Sequence, residues 1–407
     1  MTKIAKLANF IFLFLYIGIS CNSNNNSSTD YLQKVLGNLE KIKSASYSSL
    51  HKCWLPGDTA AYGVYCRLTK EFDNPADTTI GASFIWFDCD MPAVFRAAYD
   101  GTIKAVTYKD KKIIVIDNFT TRFLQYRPVS PPFFNRTKNI IQYALTTKDS
   151  VILDLKELDK DYYFRLVINE DKQVEFFGKA YYMPENPYTL YPTSIYELWI
   201  NKSNNLPYKV RREMSNQTTI ETISNVELNK LSLADFNVYD YFPVDYEIHK
   251  YGEENGKSKE ADLTSKKTPF WTLADKDGQN ISLFDFKGKV LLLQLTGIGC
   301  GPCQASIPFL KEIKEKYSDD SFELIAIETW KRTPHSLQYY SKKNELNYNL
   351  LCGTDAIIKE YQTGGAVPVF FILDKEQIIR KIIHGYSEER TRKEIIETIN
   401  KLLWNEK

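Results

Sequence analysis

The sequence predicts two folded units: a largely antiparallel β domain with at least one helix, then an α/β domain at the C-terminus. Three observations carry this. The chain has 407 residues, against a usual ~100–200 per domain. Its texture changes from short aromatic and β-branched runs to strands alternating with amphipathic helices. Between the two lies "HKYGEENGKSKEADLTSKK", residues 249–267, charged and nearly free of apolar side chains, which reads as a linker.

The elements follow in order. In "MTKIAKLANFIFLFLYIGISC", Lys3 and Lys6 precede an apolar run from Leu7 to Ile19, with small residues Gly18 and Ser20 before Cys21. Residues 1–21 therefore read as an export signal, too short for a membrane span. A cysteine directly after a small residue resembles a bacterial lipobox, although Gly18 stands where leucine is usual. The resemblance implies cleavage before Cys21, lipidation of Cys21, and a membrane-anchored protein of the bacterial cell envelope, periplasmic or at the outer membrane. Residues 22–29, polar throughout, read as a tether.

Composition narrows the function. The chain is 43% hydrophobic, 14% aromatic and 25% charged, with a formal net charge of +1. That is a folded globular composition, and without a basic block the counterion-release drive for nucleic-acid binding has no source. Export permits lasting disulfides. Of the seven cysteines, Cys53, Cys66 and Cys89 lie close enough in sequence to form one disulfide with one thiol left over, or to be three small core residues; spacing does not choose.

Residues 30–248 form the β domain. "DYLQKVLGNLEKIKSASY" places Leu32, Val35, Leu36, Leu39 and Ile42 on one helical face, predicting a helix from Asp30 to about Tyr47. Runs such as "KKIIVID", "DSVILDL", "YYFRLVIN" and "SIYELWIN" then read as strands. The order of the tail, a Trp strand, a turn, Leu206-Pro207, a basic strand, "ISNVELN" and Phe236, resembles the LolA-like lipoprotein-carrier half-barrels. That resemblance implies a curved sheet around a helix and a groove for an acyl chain or other apolar ligand. A sheet whose interior is only core remains the alternative.

Residues 268–407 form the α/β domain. Asp277-Gly278 turns a hairpin, and "VLLLQLTG" is apolar enough for a strand buried on both faces. A helix from about Pro302 to Tyr317 and the strand "FELIAIETW" complete a crossover. A helical stretch near Ser336–Asn344, "YNLLC", "DAIIKEYQ", "GGAVP", "VFFILDK", "IIRKIIHG" and a helix from Glu388 to Leu403 follow. That order is the thioredoxin layout.

At the strand-to-helix junction stands Cys300-Gly-Pro-Cys303. Disulfide exchange needs an exposed thiolate and a second thiol near enough to resolve the mixed disulfide. A helix N-terminus favours the thiolate, so Cys300 reads as the attacking residue and Cys303 as the resolving one. Zinc would require a second Cys or His pair, and His51, His249, His335 and His384 are scattered, so no metal site is expected.

The stretches "FDFKGKVLLLQLTGIGCGPCQASIPFL" and "GGAVPVFFILDK" resemble the TlpA/ResA-like thioredoxin-fold disulfide reductases. The resemblance implies that Pro368 is the cis-proline facing the pair and that the Val367 backbone receives substrate; Gly299, beside Cys300, is the second expected substrate contact. It implies no cofactor beyond the Cys300–Cys303 disulfide, protein disulfides as substrates, and an envelope electron donor. Departures are plain: Gly299 stands where tryptophan is usual, Gln294 where an acid or asparagine is usual, and Ser306 where glutamate is frequent. Glu328 is the one substitute acid, read as solvent-facing or structurally paired; Cys352 reads as a core thiol and His335 as a loop residue. The expected function is an exported, lipid-anchored thiol-disulfide oxidoreductase, the alternative a lipid- or partner-binding lipoprotein with little turnover.

Overall fold

A computed structural model describes residues 23–404 apart from 56–57, 121–128, 184–191, 216, 253–262 and 319. Cys21 and the export segment lie outside the described residues, as does most of the linker. Helix α1 runs Ser23–Glu40. It begins inside the stretch read as a tether, where no Gly or Pro interrupts it, and ends earlier than predicted. The β-branch-free but strand-forming "SASYSSLHKCW" that follows is claimed by sheet pairing, which outweighs its helical spacing.

The N-terminal strands are β1 (Ser44–Trp54), β2 (Gly63–Asp73), β3 (Ala82–Asp88), β4 (Met91–Tyr99), β5 (Lys104–Tyr108) and β6 (Ile113–Asp117). After α2 (Phe133–Thr146) come β7 (Val151–Glu157), β8 (Asp161–Ile168) and the small pair β9 (Val174–Phe176) and β10 (Ala180–Tyr182). Then follow β11 (Ser194–Asn201), β12 (Leu206–Met214), β13 (Gln217–Leu228) and β14 (Glu247–Lys250). Twelve of these form one sheet in the order β14-β6-β5-β4-β3-β2-β1-β13-β12-β11-β8-β7, antiparallel except for the β14–β6 edge. Strand β14 thus carries the β domain two residues past the predicted boundary at 248, because an edge strand finds its partner in β6.

Helices α1 and α2 pack together on this sheet. Leu32, Val35 and Leu39 of α1 and Ile140 and Ile141 of α2 join Phe164, Leu198 and Val210 in one core. Burying such side chains stabilises by about 1.5–3 kcal/mol each. Cys66 and Cys89 form a disulfide, and Cys53 is a free, buried thiol. Among the described residues no helix is long and apolar enough to cross a membrane.

The C-terminal domain opens with the antiparallel pair β15 (Thr272–Ala274) and β16 (Asn280–Ser282), as its hairpin signal predicts. Next come β17 (Val290–Thr296), α3 (Gly301–Lys316), β18 (Phe322–Glu328), α4 (Pro334–Lys343) and β19 (Asn349–Cys352). The chain closes with α5 (Asp355–Glu360), β20 (Val369–Leu373), β21 (Ile379–His384) and α6 (Arg390–Trp404). The sheet order is β19-β18-β17-β20-β21, with β20 alone running antiparallel to the other four strands. Every residue of β17 is buried, as a central strand covered on both faces requires. This is a thioredoxin fold.

Candidate active site

Strand β17 and helix α3 meet at the cysteine pair. Cys300 is the N-cap of α3, Pro302 sits in the first turn where its missing N–H costs nothing, and the backbone N–H of Cys303 points at Cys300 Sγ, 3.3 Å away. The two cysteines are joined in a disulfide with Cα atoms 5.2 Å apart. Cys303 is 1% exposed and Cys300 7%, so even the outer sulfur is largely covered. Across from them the Val367–Pro368 peptide bond is cis, and the Val367 carbonyl oxygen lies 3.8 Å from Cys300 Sγ. Residues from two distant loops, Cys300 and Val367, are thereby brought together.

No acid takes the position next to the inner cysteine. Gln294 and Ser306 are both buried and satisfy each other: Gln294 Nε2 donates to Ser306 Oγ at 2.9 Å, and Ser306 Oγ donates to the Cys303 carbonyl at 2.7 Å. Glu328, fully buried, is bound to backbone rather than facing solvent. Its carboxylate accepts from Ile298 N at 3.1 Å and Arg332 N at 3.0 Å, and burial pushes its pKa up. Glu328 therefore braces the turn that carries Cys300. Cys352, at the end of β19 beside Glu328, has its thiol pKa raised by burial, which suppresses nucleophilicity. His335 lies in the first turn of α4 rather than in a loop, because Thr333 caps that helix one residue before Pro334, and its side chain is exposed.

Gly299 adopts φ +95°, a left-handed value that a tryptophan would resist. The space a side chain would take is occupied from the other domain. A Cβ at Gly299 would meet Leu55 Cδ2 at 3.4 Å. Leu55, in the connector between β1 and β2, is 5% exposed and belongs to the apolar cluster of Ile298, Ile307, Leu310 and Tyr340. Its backbone N–H is held by Asp58 Oδ2 at 3.1 Å, while Asp58 Oδ1 accepts from Ser336 Oγ on α4 at 2.6 Å. Farther along, the Arg332 guanidinium lies 4.2 Å from the ring centre of Tyr62. On the other flank the Trp330 ring lies so close to Gly297 that a Cβ there would meet it at 2.6 Å. No local pattern in the sequence marks these contacts; the glycine in place of tryptophan is the one signal of them.

The β domain also carries a cavity that opens to solvent. Instead of the apolar groove expected from the half-barrel resemblance, its lining includes Arg67, Arg136, Arg212, Glu175 and Glu221.

The AhpC/TSA family matches residues 264–382. A thiol-disulfide oxidoreductase ResA of Bacillus cereus is 30% identical over 140 residues, covering 34% of this chain and 77% of that protein. The ResA of Bacillus subtilis is 23% identical over 131 residues, 32% of this chain and 73% of that one. Among solved structures, a thiol-disulfide oxidoreductase from Bacteroides fragilis aligns at 19% identity and a TM-score of 0.30, covering 33% of this chain and 99% of that one.

Proposed function

The chain belongs, through its C-terminal domain, to the ResA-like thiol-disulfide oxidoreductases, and from that premise we propose that it reduces protein disulfides through Cys300 and Cys303. The observation that carries the reading is Cys300 at the N-terminus of α3, with the Cys303 N–H at its sulfur and the Val367 carbonyl opposite.

In the reduced form the helix N-terminus favours the Cys300 thiolate. That thiolate attacks one sulfur of a substrate disulfide, forming a Cys300–substrate bond and releasing the other substrate sulfur as a thiolate that takes up a proton. Cys303 then loses its proton and attacks Cys300 Sγ. The substrate leaves as a dithiol, reduced by two electrons, and the Cys300–Cys303 disulfide is left behind. An envelope dithiol donor returns two electrons and two protons. Val367 offers its backbone to an extended substrate strand, with Pro368 holding that backbone in place; on the near rim Gly299 carries no side chain of its own and borders the substrate together with Leu55.

The anchor belongs to the same proposal: cleavage before Cys21, acylation, and attachment to an envelope membrane. For residues 30–248 we retain the half-barrel reading, supported by α1 and α2 sharing one core with the long sheet. Leu55 and Asp58 then give this domain a direct part in substrate choice, since they border the redox turn.

The test is trapping. A Cys303→Ala variant expressed in its own envelope is expected to accumulate mixed disulfides through Cys300, identified by mass spectrometry. If none accumulate, and a Cys300→Ala control looks the same, the oxidoreductase reading of this pair fails.

A further inference from the structure

The cavity in the β domain holds an arginine that the fold does not use as an ion-pair partner. Its volume is about 230 Å³, between strands β1, β2 and β11–β13 on one side and the start of α2 on the other. Three guanidinium groups and two carboxylates line it. Arg136 pairs with Glu221, and Arg212 pairs with Glu175 at 2.8 Å. His51 lies between Ser49 Oγ, at 2.9 Å, and Glu221, at 3.4 Å, and burial holds it neutral at ordinary pH. One positive charge is left over, and it sits on Arg67.

Arg67 is positioned but not paired. Its guanidinium carbon lies 4.7 Å from the Tyr65 ring centre and 4.5 Å from that of Trp86. Two aromatic rings fix its direction. Its Nε is buried with no hydrogen-bond partner, and among the described residues no carboxylate lies within ion-pair distance of it. A buried N–H without an acceptor costs about 1–3 kcal/mol, more on a charged group, so a pre-set fork of this kind calls for an acceptor from outside. Phe176, Phe177 and Tyr196 line the same cavity.

We propose that this cavity binds a small organic carboxylate, its two oxygens on the Arg67 guanidinium and its apolar or aromatic body against Phe176 and Phe177. Planar, two-point recognition of a carboxylate is what an oriented guanidinium does better than an ammonium. The volume sets the size class: it falls below the ~300 Å³ lower end for drug-sized ligands, so the acid is small and a long acyl chain is not accommodated. The proposal stands apart from the redox chemistry of Cys300 and survives or fails without it.

The probes are benzoate and phenylacetate, with benzamide and phenylacetamide as uncharged counterparts of the same shape, added to the full mature chain. Binding is read by calorimetry and by ligand-observed NMR. At least one carboxylate is expected to bind with Kd of about 1 mM or tighter, its amide at least about tenfold more weakly. Arg67→Met, which keeps the aliphatic stem, is expected to abolish the difference while exchange at Cys300 with dithiothreitol proceeds at the unaltered rate. Should that variant not fold, the comparison of acid with amide on the unaltered protein, repeated at raised salt, decides alone. Failure of both acids to bind, equal binding of acid and amide, or undiminished binding by a folded Arg67→Met chain each overturns the proposal.

Discussion

Leu55 of the N-terminal domain stands where a side chain on Gly299 would otherwise be, with 3.4 Å between its Cδ2 and the Cβ position of the glycine. The first domain thus supplies part of the wall around the second domain's cysteine pair. Leu55→Ala should leave a cavity in the cluster of Ile298 and Tyr340, costing about 2–5 kcal/mol. Because the cluster spans both domains, calorimetry is expected to resolve two unfolding transitions where the parent chain gives one. Gly299→Trp, strained at φ +95° and competing for the same space, is expected to give the same split. One unshifted transition in both variants would show that the domains are held by other contacts.

A missing acid can be put back. Gln294→Glu is nearly isosteric and places a buried carboxyl beside Ser306, whose hydroxyl contacts the Cys303 carbonyl. Burial raises such a carboxyl's pKa toward neutrality, where it can take the Cys303 proton. Stopped-flow reduction of a disulfide substrate is expected to gain a new inflection between about pH 6 and 8 and a rise of about tenfold at neutral pH. A superimposable pH profile would mean that deprotonation of Cys303 does not limit exchange.

His51 makes the β domain sensitive to acid. Burial lowers its pKa from 6.5 to about 4, outweighing the attraction of Glu221. Between those values the unfolded chain binds the proton and the folded chain does not. Stability is therefore complete above about pH 6.5 and falls as the pH drops toward 4, by about 3 kcal/mol from this group. Glu71, raised by burial to about 7, contributes in the opposite direction over part of the same range. The difference between the parent chain and His51→Gln, followed by urea unfolding at several pH values, isolates the histidine. The gap in stability should narrow as the pH falls through this window; a gap independent of pH would argue that His51 is solvated.

The Cys66–Cys89 disulfide, closing a separation of 23 residues, restrains the unfolded β2–β3 segment. Replacing both cysteines with serine is expected to cost about 3 kcal/mol of β-domain stability. The Cys300–Cys303 exchange rate should be unaffected. Urea denaturation followed by domain-specific proteolysis measures the first, and dithiothreitol kinetics the second.

The turn that carries Cys300 and Cys303 was legible in the sequence because its determinants are local. Cys300, Pro302 and Cys303 lie within one helical turn, and the buried run from Val290 to Thr296 marks the strand that delivers them. What could not be read is held by long-range contact. Nothing near Leu55 announces that it packs on Gly299, and nothing near Glu328 says that its carboxylate is taken by two backbone amides. The cavity was hidden for another reason. Tyr65, Arg67 and Thr69 alternate along β2 as residues of a solvent-facing surface do, and only the docking of α2 over that face turns polar side chains into lining.

The hydrogen bond from Ser336 to Asp58 joins residues 278 apart in the chain. Strand β1, which leads directly to Asp58, has β13 as one of its two neighbours in the sheet. Leu55 and Asp58 are therefore supported on both sides of β1 only after β13 has been made, while the surface they rest on is made later still. Such remote closures are slow in folding. During biogenesis the strands that carry Leu55 are consequently complete before the cysteine pair is made, and the redox turn meets its neighbour as soon as it folds.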